Sequence, residues 1–416
     1  MAPVSTSDAQ TVLKGLEGIR SEVEGYYRRL HAHPELGMME VETAGLVAKL
    51  LREWGFEVVE GIGTTGVVGI LRNGPGPCVL ARADMDALPV REETGLPYAS
   101  TVTGKDRFGN EFPVMHACGH DIHTAGLLGA ARLMASARDM WQGTLEVLFQ
   151  PGEETGAGAA GMVADGLTDR IPAPDVALAQ HVLPFRAGEV KICPGPFLSS
   201  AQLFDITIHG RGAHGSMPEA AIDPVVIAAS TVLALQTIVS RELAAKTPAS
   251  LTVGKIRAGN AGNVIADTAE LQLSTRSYDD GTRAHFEASI RRIVDAVAQA
   301  AGVQKKPDVV KIVDTEPVIN DPEVSGKVAA AFAEFFGAAY AQTGSATPSE
   351  DFPEIPKAFG VPYLYWVIGC TDSALFDSGK DIPTNHSPQF APALQPTLDT
   401  GVQAMVVAFL VWLGKS

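Results

Sequence analysis

The sequence predicts an α/β protein with a mostly parallel sheet covered by helices, interrupted by a separate ferredoxin-like α+β domain. Three observations lead to this fold class. The first half of the chain alternates strand-like and helix-like segments. The middle of the chain instead runs β-α-β-β-α-β. The length of 416 residues predicts two or three domains, at roughly 100–200 residues each.

The first half begins with helical segments, since apolar residues recur at helical spacing over residues 11–30 and 41–54. Short apolar runs then predict strands at residues 57–60, 66–71 and 78–83. A helix opens near Asp121, and two further strands are predicted at residues 144–149 and 176–179. Strands that alternate with helices in this way favour parallel pairing.

The pattern changes near residue 197. A strand at 203–209 precedes a helix that Asp223 and Pro224 open, followed by strands at 250–257 and 269–277, a helix at 282–300 and a strand at 309–313. We therefore predict an inserted domain at residues 197–311, flanked by a discontinuous domain made of residues 1–196 and 312–416. The second part of that domain carries a helix near 324–340, a strand at 363–368, a long loop and a final helix.

The composition limits the possible partners. A net charge of −16 and a pI near 5.1 argue against nucleic acid and anionic membrane surfaces. Residues 402–413 form an apolar run that is too short to span a bilayer, so we expect a buried final helix. Residues 1–10 lack the features of a signal peptide, and the four cysteines are widely spread. We therefore expect a cytoplasmic protein with reduced thiols.

Candidate ligands follow several predicted strands. Because ligands bind outside the carboxyl ends of strands in open α/β sheets, acids and histidines that emerge there from separate strands could converge. The residues in such positions are Asp84, Asp86, Glu153, Glu154, His181 and His386.

A further cluster lies at residues 115–123, just before a predicted helix. It contains three histidines, Cys118 and Asp121, and Gly119 lets the backbone bend so that neighbouring side chains face one centre. A lone cysteine is usually an inert small hydrophobe, but these neighbours favour a metal ligand. Adjacent glutamates suit amide hydrolysis, because one can bind metal while the other transfers a proton.

The segments 29–37, 83–89, 115–123, 149–154 and 385–388 resemble the metallopeptidase-20 family. They are most similar to its amidohydrolase subgroup, which comprises hippurate hydrolases, N-acyl amino acid deacylases and auxin-conjugate hydrolases. The inserted domain is also similar, at residues 210–214, 222–224, 263–265 and 275–276. The resemblance implies a catalytic domain of zinc-peptidase type with an inserted domain that dimerises and closes over the substrate.

The resemblance also implies a site with two divalent ions per subunit. By position, the ligands are Cys118, His120, Glu154, His181 and His386. Glu153 matches the general base that later protonates the leaving group. Asp84 stands where the wider family has a histidine ligand, and Asp86 matches a supporting catalytic acid whose histidine partner is absent here.

Three residues of the inserted domain match substrate-binding positions. His214 resembles a histidine that stabilises the oxyanion, and in dimeric relatives it reaches the site of the neighbouring subunit. Asn263 and Arg276 are similar to residues that hold the substrate carboxylate, a task that suits the planar fork of arginine.

These observations lead us to expect a metal-dependent amidohydrolase that cleaves N-acyl amino acids and forms a homodimer through the inserted domain. A dipeptidase or carboxypeptidase with the same chemistry is the alternative, and a non-catalytic protein with a structural metal is a third reading. A thiolate ligand favours zinc, whereas carboxylates and imidazoles also accept manganese, cobalt or nickel. Residues 155–158 and 370–372 depart from the family pattern, which weakens any substrate assignment by analogy.

Overall fold

The computed structural model describes residues 6–106 and 108–415. The first five residues, on which part of the prediction about export rests, lie outside the described residues. Contacts divide the chain into two compact units. The first contains residues 1–195, 320–344 and 351–416, and the second contains residues 196–319 and 345–350.

The first unit contains an eight-stranded mixed sheet whose central strands are parallel, as the sequence predicts. Its edges include antiparallel pairs. In spatial order the strands are Glu57–Ile62, Gly66–Asn73, Gly143–Gln150, Cys78–Asp84, Val176–Arg186, Tyr363–Thr371, Val190–Ile192 and Tyr340–Gln342. The strand Cys78–Asp84 is buried throughout, and the next two strands of the sheet are continuously buried over residues 176–182 and 364–371, as expected for parallel strands covered on both faces.

Helices cover this sheet and supply much of its core. Their bounds are Thr6–Leu13, Leu16–Ala32, Val41–Glu53, His120–Ser136, Gly158–Ala164, Leu167–Arg170, Pro322–Phe336, Glu354–Phe359, Ser373–Asp377 and Leu394–Leu413. Helix His120–Ser136 packs against Leu394–Leu413 at Gly129, where an added Cβ would lie 2.8 Å from Cγ2 of Val402. This close approach holds the helix that begins at the candidate site against the core of the unit.

One predicted helix is wrong in its bounds. The segment 11–30 is divided between two helices, Thr6–Leu13 and Leu16–Ala32, with Gly15 at the break. Glycine in a helix interior costs about 1 kcal/mol relative to alanine, which favours a break at this point. By contrast, the helix predicted at 41–54 is observed at Val41–Glu53.

The second unit contains a four-stranded antiparallel sheet with two helices. Along the chain, the elements are Ser200–His209, Pro224–Thr237, Ala249–Ala258, Thr268–Ser277, Asp280–Ala300 and Asp308–Thr315. The spatial order of the four strands is fourth, first, third, second. Both helices contribute to one apolar core with the sheet, which contains Phe204, Leu271 and Phe286. This arrangement is the ferredoxin-like pattern expected from the order of elements.

The boundaries of the second unit differ from the predicted range of 197–311. The strand Asp308–Thr315 pairs along its length with Ser200–His209, so the unit extends to residue 319. A later segment, residues 345–350, also belongs to this unit, and Ala346 forms an isolated bridge with Leu198. The sequence gives no periodic signal for so short a returning segment.

Two helices among the described residues are long and apolar enough to cross a membrane by length and composition alone. Helix Leu394–Leu413 has 72% of its apolar window buried and packs in the core of the first unit, as the sequence predicts. Helix Pro224–Thr237, taken together with the helical turn Ile238–Glu242 that continues it, has 33% of its window buried, because only one face packs on its sheet. Core helices of globular proteins pass the same test of length and composition.

Candidate metal centre

The candidate ligands of the first unit gather at the carboxyl ends of its central strands. Asp84 ends one strand opposite Gln150, and His181 lies in the next strand opposite Val367. Glu153 and Glu154 come three and four residues after Gln150, in a short 3-10 turn. The parallel register therefore brings together groups that are far apart in the sequence, as expected at the carboxyl edge of such a sheet.

The five predicted metal ligands lie next to one another. Cys118 Sγ is 3.5 Å from Nε2 of His181, and ligand atoms of Cys118, Glu154 and His386 all lie within 4.8 Å of one another. Nε2 of His120 is 3.9 Å from Oε1 of Glu154. One thiol, three imidazoles and a carboxylate are a donor set that suits divalent transition metals.

Gly119 creates the sharp bend between Cys118 and His120. Its φ of +84° lies in the left-handed region, and it directly precedes the helix His120–Ser136. A Cβ at this position would lie 2.3 Å from Cγ2 of Val182. Glycine is therefore required twice over, for its backbone conformation and for its lack of a side chain.

His386 reaches the cluster from the opposite end of the sequence. Its backbone N–H donates to the carbonyl of Ala117 at 2.8 Å, and it also adopts a left-handed φ of +72°. Its Nε2 lies 3.1 Å from Oε1 of Glu154. Hydrogen bonds from its ring to Cys118 and Glu154 raise the pKa of His386 to about 10. The positive charge of the His386 imidazolium therefore offsets the negative charge of the acids in the cluster.

His120 supplies the clearest test of whether these residues fit a metal ion. Its Nε2 is buried and has no hydrogen-bond partner among the described residues, although three carboxylates face it. The separations are 3.7 Å to Asp84, 4.0 Å to Glu153 and 3.9 Å to Glu154. These distances are too long for hydrogen bonds. An imidazole nitrogen that faces acids at such separations leaves room for a cation between them.

The motif around Asp86 suggests a histidine partner that this chain lacks at the matching position. In the structure, Asp86 contacts His120 instead. Its Oδ1 is 3.2 Å from Nδ1 of His120, and its Oδ2 accepts a hydrogen bond from the backbone of Glu154 at 3.0 Å. It is fully buried, and burial raises its pKa above the usual range. Asp86 therefore orients one predicted ligand and fixes the backbone of another, so its contacts are those of a positioning residue.

Sequence reasoning missed Glu40, which lies just before helix Val41–Glu53. Its Oε1 accepts hydrogen bonds from the backbone N–H groups of Met38 and Gly152, each at 2.8 Å. Burial and the nearby charge of Asp86 raise the pKa of Glu40 to about 7. Glu40 thus holds the turn that leads into Glu153. An acid directly before a helix is typical of an ordinary helix start, so no sequence pattern indicates this role.

The family resemblance leads us to expect a supporting residue at His31, not a metal ligand. It is buried between two acids, with Nδ1 2.7 Å from Asp121 and Nε2 3.0 Å from Glu92. Burial lowers the pKa of His31, but these two hydrogen bonds outweigh it and raise the pKa to about 9. The imidazolium fixes Asp121, the second residue of the helix that begins at His120.

His214, Asn263 and Arg276 lie in the second unit. His214 is exposed and pairs with Val264 across a two-stranded ladder, while the carbonyl of Asn263 accepts a hydrogen bond from Gly215 at 2.8 Å. Arg276 is half-buried, and its Nη1 has no hydrogen-bond partner among the described residues. A buried guanidinium nitrogen without an acceptor is suited to an incoming anion.

The chain is similar to one protein family and to several individual proteins. The profile of Peptidase family M20/M25/M40 matches residues 80–408. A hippurate hydrolase from Campylobacter jejuni is 41% identical over 290 residues, which are 69% of this chain and 73% of that protein. Thermostable carboxypeptidase 2 from Saccharolobus solfataricus is 35% identical over 370 residues, 87% of this chain and 88% of that protein.

A solved structure is also similar over nearly the whole chain. It is a Bacillus subtilis protein described as a dinuclear metal binding peptidase from the M20 family, with a TM-score of 0.76 and 27% identity, covering 95% of this chain and 98% of that one. Together with the buried cluster, these matches define a metal-dependent amidohydrolase. The chain belongs to Peptidase family M20/M25/M40.

Replacing Gly119 with alanine should disrupt the cluster, because the new Cβ would meet Val182 at 2.3 Å. We expect a loss of tight metal binding and a lower unfolding free energy. Overpacking alone typically costs about 1–3 kcal/mol, and backbone strain adds to this loss. Isothermal titration with zinc and thermal unfolding would measure both effects.

Gly109→Ala is the matched control for this substitution. Gly109 has nearly the same φ, +85°, but its Cβ would meet nothing within 4 Å. The control therefore carries the backbone strain without the collision. Equal effects of the two substitutions would contradict the role assigned to the space beside Val182.

Proposed function

We propose that the enzyme hydrolyses the amide bond of N-acyl amino acids, releasing a carboxylic acid and a free amino acid. The observation that carries the proposal is the buried Nε2 of His120, which faces Glu153 and Glu154 without bonding to either. The similarity to a hippurate hydrolase supports this substrate class, because hippurate is an acylated glycine.

Cys118, His120, Glu154, His181 and His386 would hold two divalent ions. When bound, such ions polarise a carbonyl and lower the pKa of water, which supplies the Lewis acidity that amide hydrolysis needs. We propose zinc or manganese, with cobalt or nickel as further possibilities, because the thiol of Cys118 favours the softer ion and the other ligands accept all four.

Glu153 is the proposed proton carrier. Its side chain is 12% exposed at the edge of the cluster, so it can reach both water and substrate. A carboxylate Oε of Glu153 would accept a proton from the attacking water and then donate it to the nitrogen of the leaving amine. Glu154, one residue later, keeps its carboxylate for the cluster because His386 and His120 outweigh burial and lower its pKa.

We propose that residues of the second unit bind the substrate. Arg276 would bind the free carboxylate of the amino acid, since its Nη1 lacks an acceptor among the described residues. Asn263 would share this contact. His214 would stabilise the oxyanion, and its ring is oriented by Ser216, whose Oγ is 2.7 Å from Nδ1.

A peptidase activity is the second candidate. It is favoured by the similarity to thermostable carboxypeptidase 2, which extends over 87% of this chain. A carboxypeptidase and an N-acyl amino acid hydrolase both cleave an amide next to a free carboxylate. A guanidinium such as that of Arg276 suits both, so the acyl side of the substrate separates the two activities.

We further propose a homodimer that forms through the second unit. Helix Pro224–Thr237 carries an exposed face without charged residues, where Val226 is 61% and Leu233 73% exposed. Exposed apolar patches of this kind mark interfaces. A cytoplasmic location is proposed as well, because all four cysteines are buried and free, as in a reducing compartment.

The substrate class is tested with metal-stripped protein to which zinc, manganese, cobalt or nickel is added back. We expect metal-dependent release of free amino acid from N-benzoylglycine and N-acetyl amino acids, measured by amine detection. Methyl esters of the same compounds should react poorly, since they lack the carboxylate. Faster cleavage of free or N-blocked dipeptides would favour the peptidase, and no release from any of these compounds would contradict both proposals.

Replacing Glu153 with glutamine should lower kcat by at least about 10²–10⁴-fold, because the amide cannot carry the proton. Both metal ions should still bind, since Glu153 is not a proposed ligand. Metal content by mass spectrometry and kcat on the best substrate would be measured together. Retained kcat with full metal content would refute the role of Glu153.

Replacing Leu233 with lysine should shift the protein from dimer to monomer, because it places a charge on the uncharged helix face. Analytical ultracentrifugation over a concentration series measures the association. Gln236→Lys is the control at the border of that face, and we expect a smaller effect there. A wild-type protein that sediments as a monomer at all concentrations would overturn the dimer.

A further inference from the structure

The ring orientation of His181 is fixed by a hydrogen bond to the backbone. Its Nδ1 lies 2.7 Å from the carbonyl oxygen of Val182. A carbonyl only accepts hydrogen bonds, so Nδ1 carries the proton and Nε2 carries the lone pair. Nε2 in turn is 3.5 Å from Sγ of Cys118. The carbonyl of Val182 therefore decides which nitrogen of His181 faces the cluster.

The backbone N–H of Val182 also has a partner, which is the side chain of His123. The backbone N–H of Val182 donates to Nε2 of His123 at 2.9 Å, so this nitrogen is an acceptor. Nδ1 of His123 must then carry the proton, and it lies 2.6 Å from Oδ1 of Asp84. Both ring nitrogens of His123 are thus engaged, which favours a single tautomer.

Arg82 completes the line of hydrogen bonds. Its Nη1 donates to Oδ2 of Asp84 at 2.5 Å, and its Nε donates to Oε1 of Gln150 at 2.8 Å. The side chains of Arg82 and Asp84 are fully buried. A buried carboxylate is stable only when it is paired and hydrogen-bonded, and Arg82 together with His123 satisfies both oxygens of Asp84.

These hydrogen bonds distinguish proposed metal ligands from supporting residues within one group of four side chains. Asp84, His120, His123 and His181 have ligand atoms within 4.8 Å of one another, so proximity alone would allow all four to bind an ion. His123 has no free nitrogen, and each oxygen of Asp84 already accepts a hydrogen bond. Of the four, only His120 has a nitrogen without a hydrogen-bond partner among the described residues, and Nε2 of His181 contacts only Sγ of Cys118, another proposed ligand.

We infer that Arg82, Asp84 and His123 are positioning residues, which fix Val182 and thereby present the Nε2 lone pair of His181 to the metal centre. The inference rests on the ligand role proposed for His181. It assigns Asp84 a function at the position where the wider family has a histidine ligand. Loss of such a supporting contact typically costs about 10–100-fold in metal affinity.

Three substitutions test the line of contacts. His123→Phe removes both hydrogen bonds but keeps an aromatic ring, whereas His123→Gln retains one donor and one acceptor. Asp84→Asn places a donor against either His123 or Arg82. His116→Phe is the matched control, because His116 is buried in the same segment and neither ring nitrogen has a hydrogen-bond partner among the described residues.

Metal affinity and the tautomer of His181 are the two readouts. Competition with a chromophoric chelator measures the dissociation constants of both ions. Two-bond ¹H–¹⁵N correlation spectra of metal-free protein report the tautomer of His181 without any substrate. We expect His123→Phe and Asp84→Asn to weaken one ion about 10–100-fold and to remove the single Nδ1–H signature, and His123→Gln to restore much of both.

The outcomes separate this inference from the proposed function. Unchanged affinity and tautomer in His123→Phe would overturn it, as would equal losses in His116→Phe. If His123→Phe does not fold, His123→Gln and Asp84→Asn decide, and identical behaviour of these two variants would overturn it. A protein that shows the expected losses in metal binding but cleaves no N-acyl amino acid would refute the substrate proposal and leave the positioning role intact.

Discussion

The buried ion pair between Arg82 and Asp84 is the interaction on which the rest of the site depends. Arg82 also contacts Gln150 and Asp351, with its Nη2 3.3 Å from Oδ1 of Asp351. Oδ2 of Asp351 in turn accepts from the backbone of Ala159 at 3.0 Å. One guanidinium therefore ties together two central strands and a loop. Removing one partner of such a buried pair typically costs about 3–5 kcal/mol, because the other charge remains uncompensated.

This charge balance explains why so many acids can lie at one edge of the sheet. Asp84 is buried, yet His120, Arg82 and His123 outweigh that burial and hold its pKa well below the usual range. Among the described residues, Asp86 and Glu40 have no arginine partner, and burial raises the pKa of both. The cluster therefore combines anionic groups, which suit a cation, with buried acids that hold backbone N–H groups in place.

Much of the fold and of the cluster could be predicted from the sequence, because both depend on short-range patterns. Apolar runs located the strands that end at Asp84 and Gln150, and the spacing of Cys118 and His120 marked a ligand segment. The parallel register then brought these segments together. The second unit was also predictable, since its six elements follow one another without interruption.

The supporting contacts could not be predicted, because each depends on a side chain or backbone group that is distant in the sequence. His123 and Val182 are 59 positions apart, and Glu40 and Gly152 are 112 positions apart. No local pattern marks such pairs. The motif suggested that Asp86 lacked its histidine partner, but the fold supplies His120 instead. The boundary beyond residue 311 was missed because strand pairing, not periodicity, decides it.

The backbone bond between His386 and Ala117 has a consequence for how the protein is made. Asn385, which also donates to the carbonyl of Cys118, lies 267 positions after that cysteine. At synthesis rates of about 5–20 residues per second, Cys118 leaves the ribosome roughly ten seconds to a minute before His386 exists. In that interval residues 196–319 can form their own core, while Cys118 and His120 still lack His386. Assembly of the proposed metal centre therefore waits for the last tenth of the chain, so a truncated product would lack one of its proposed ligands.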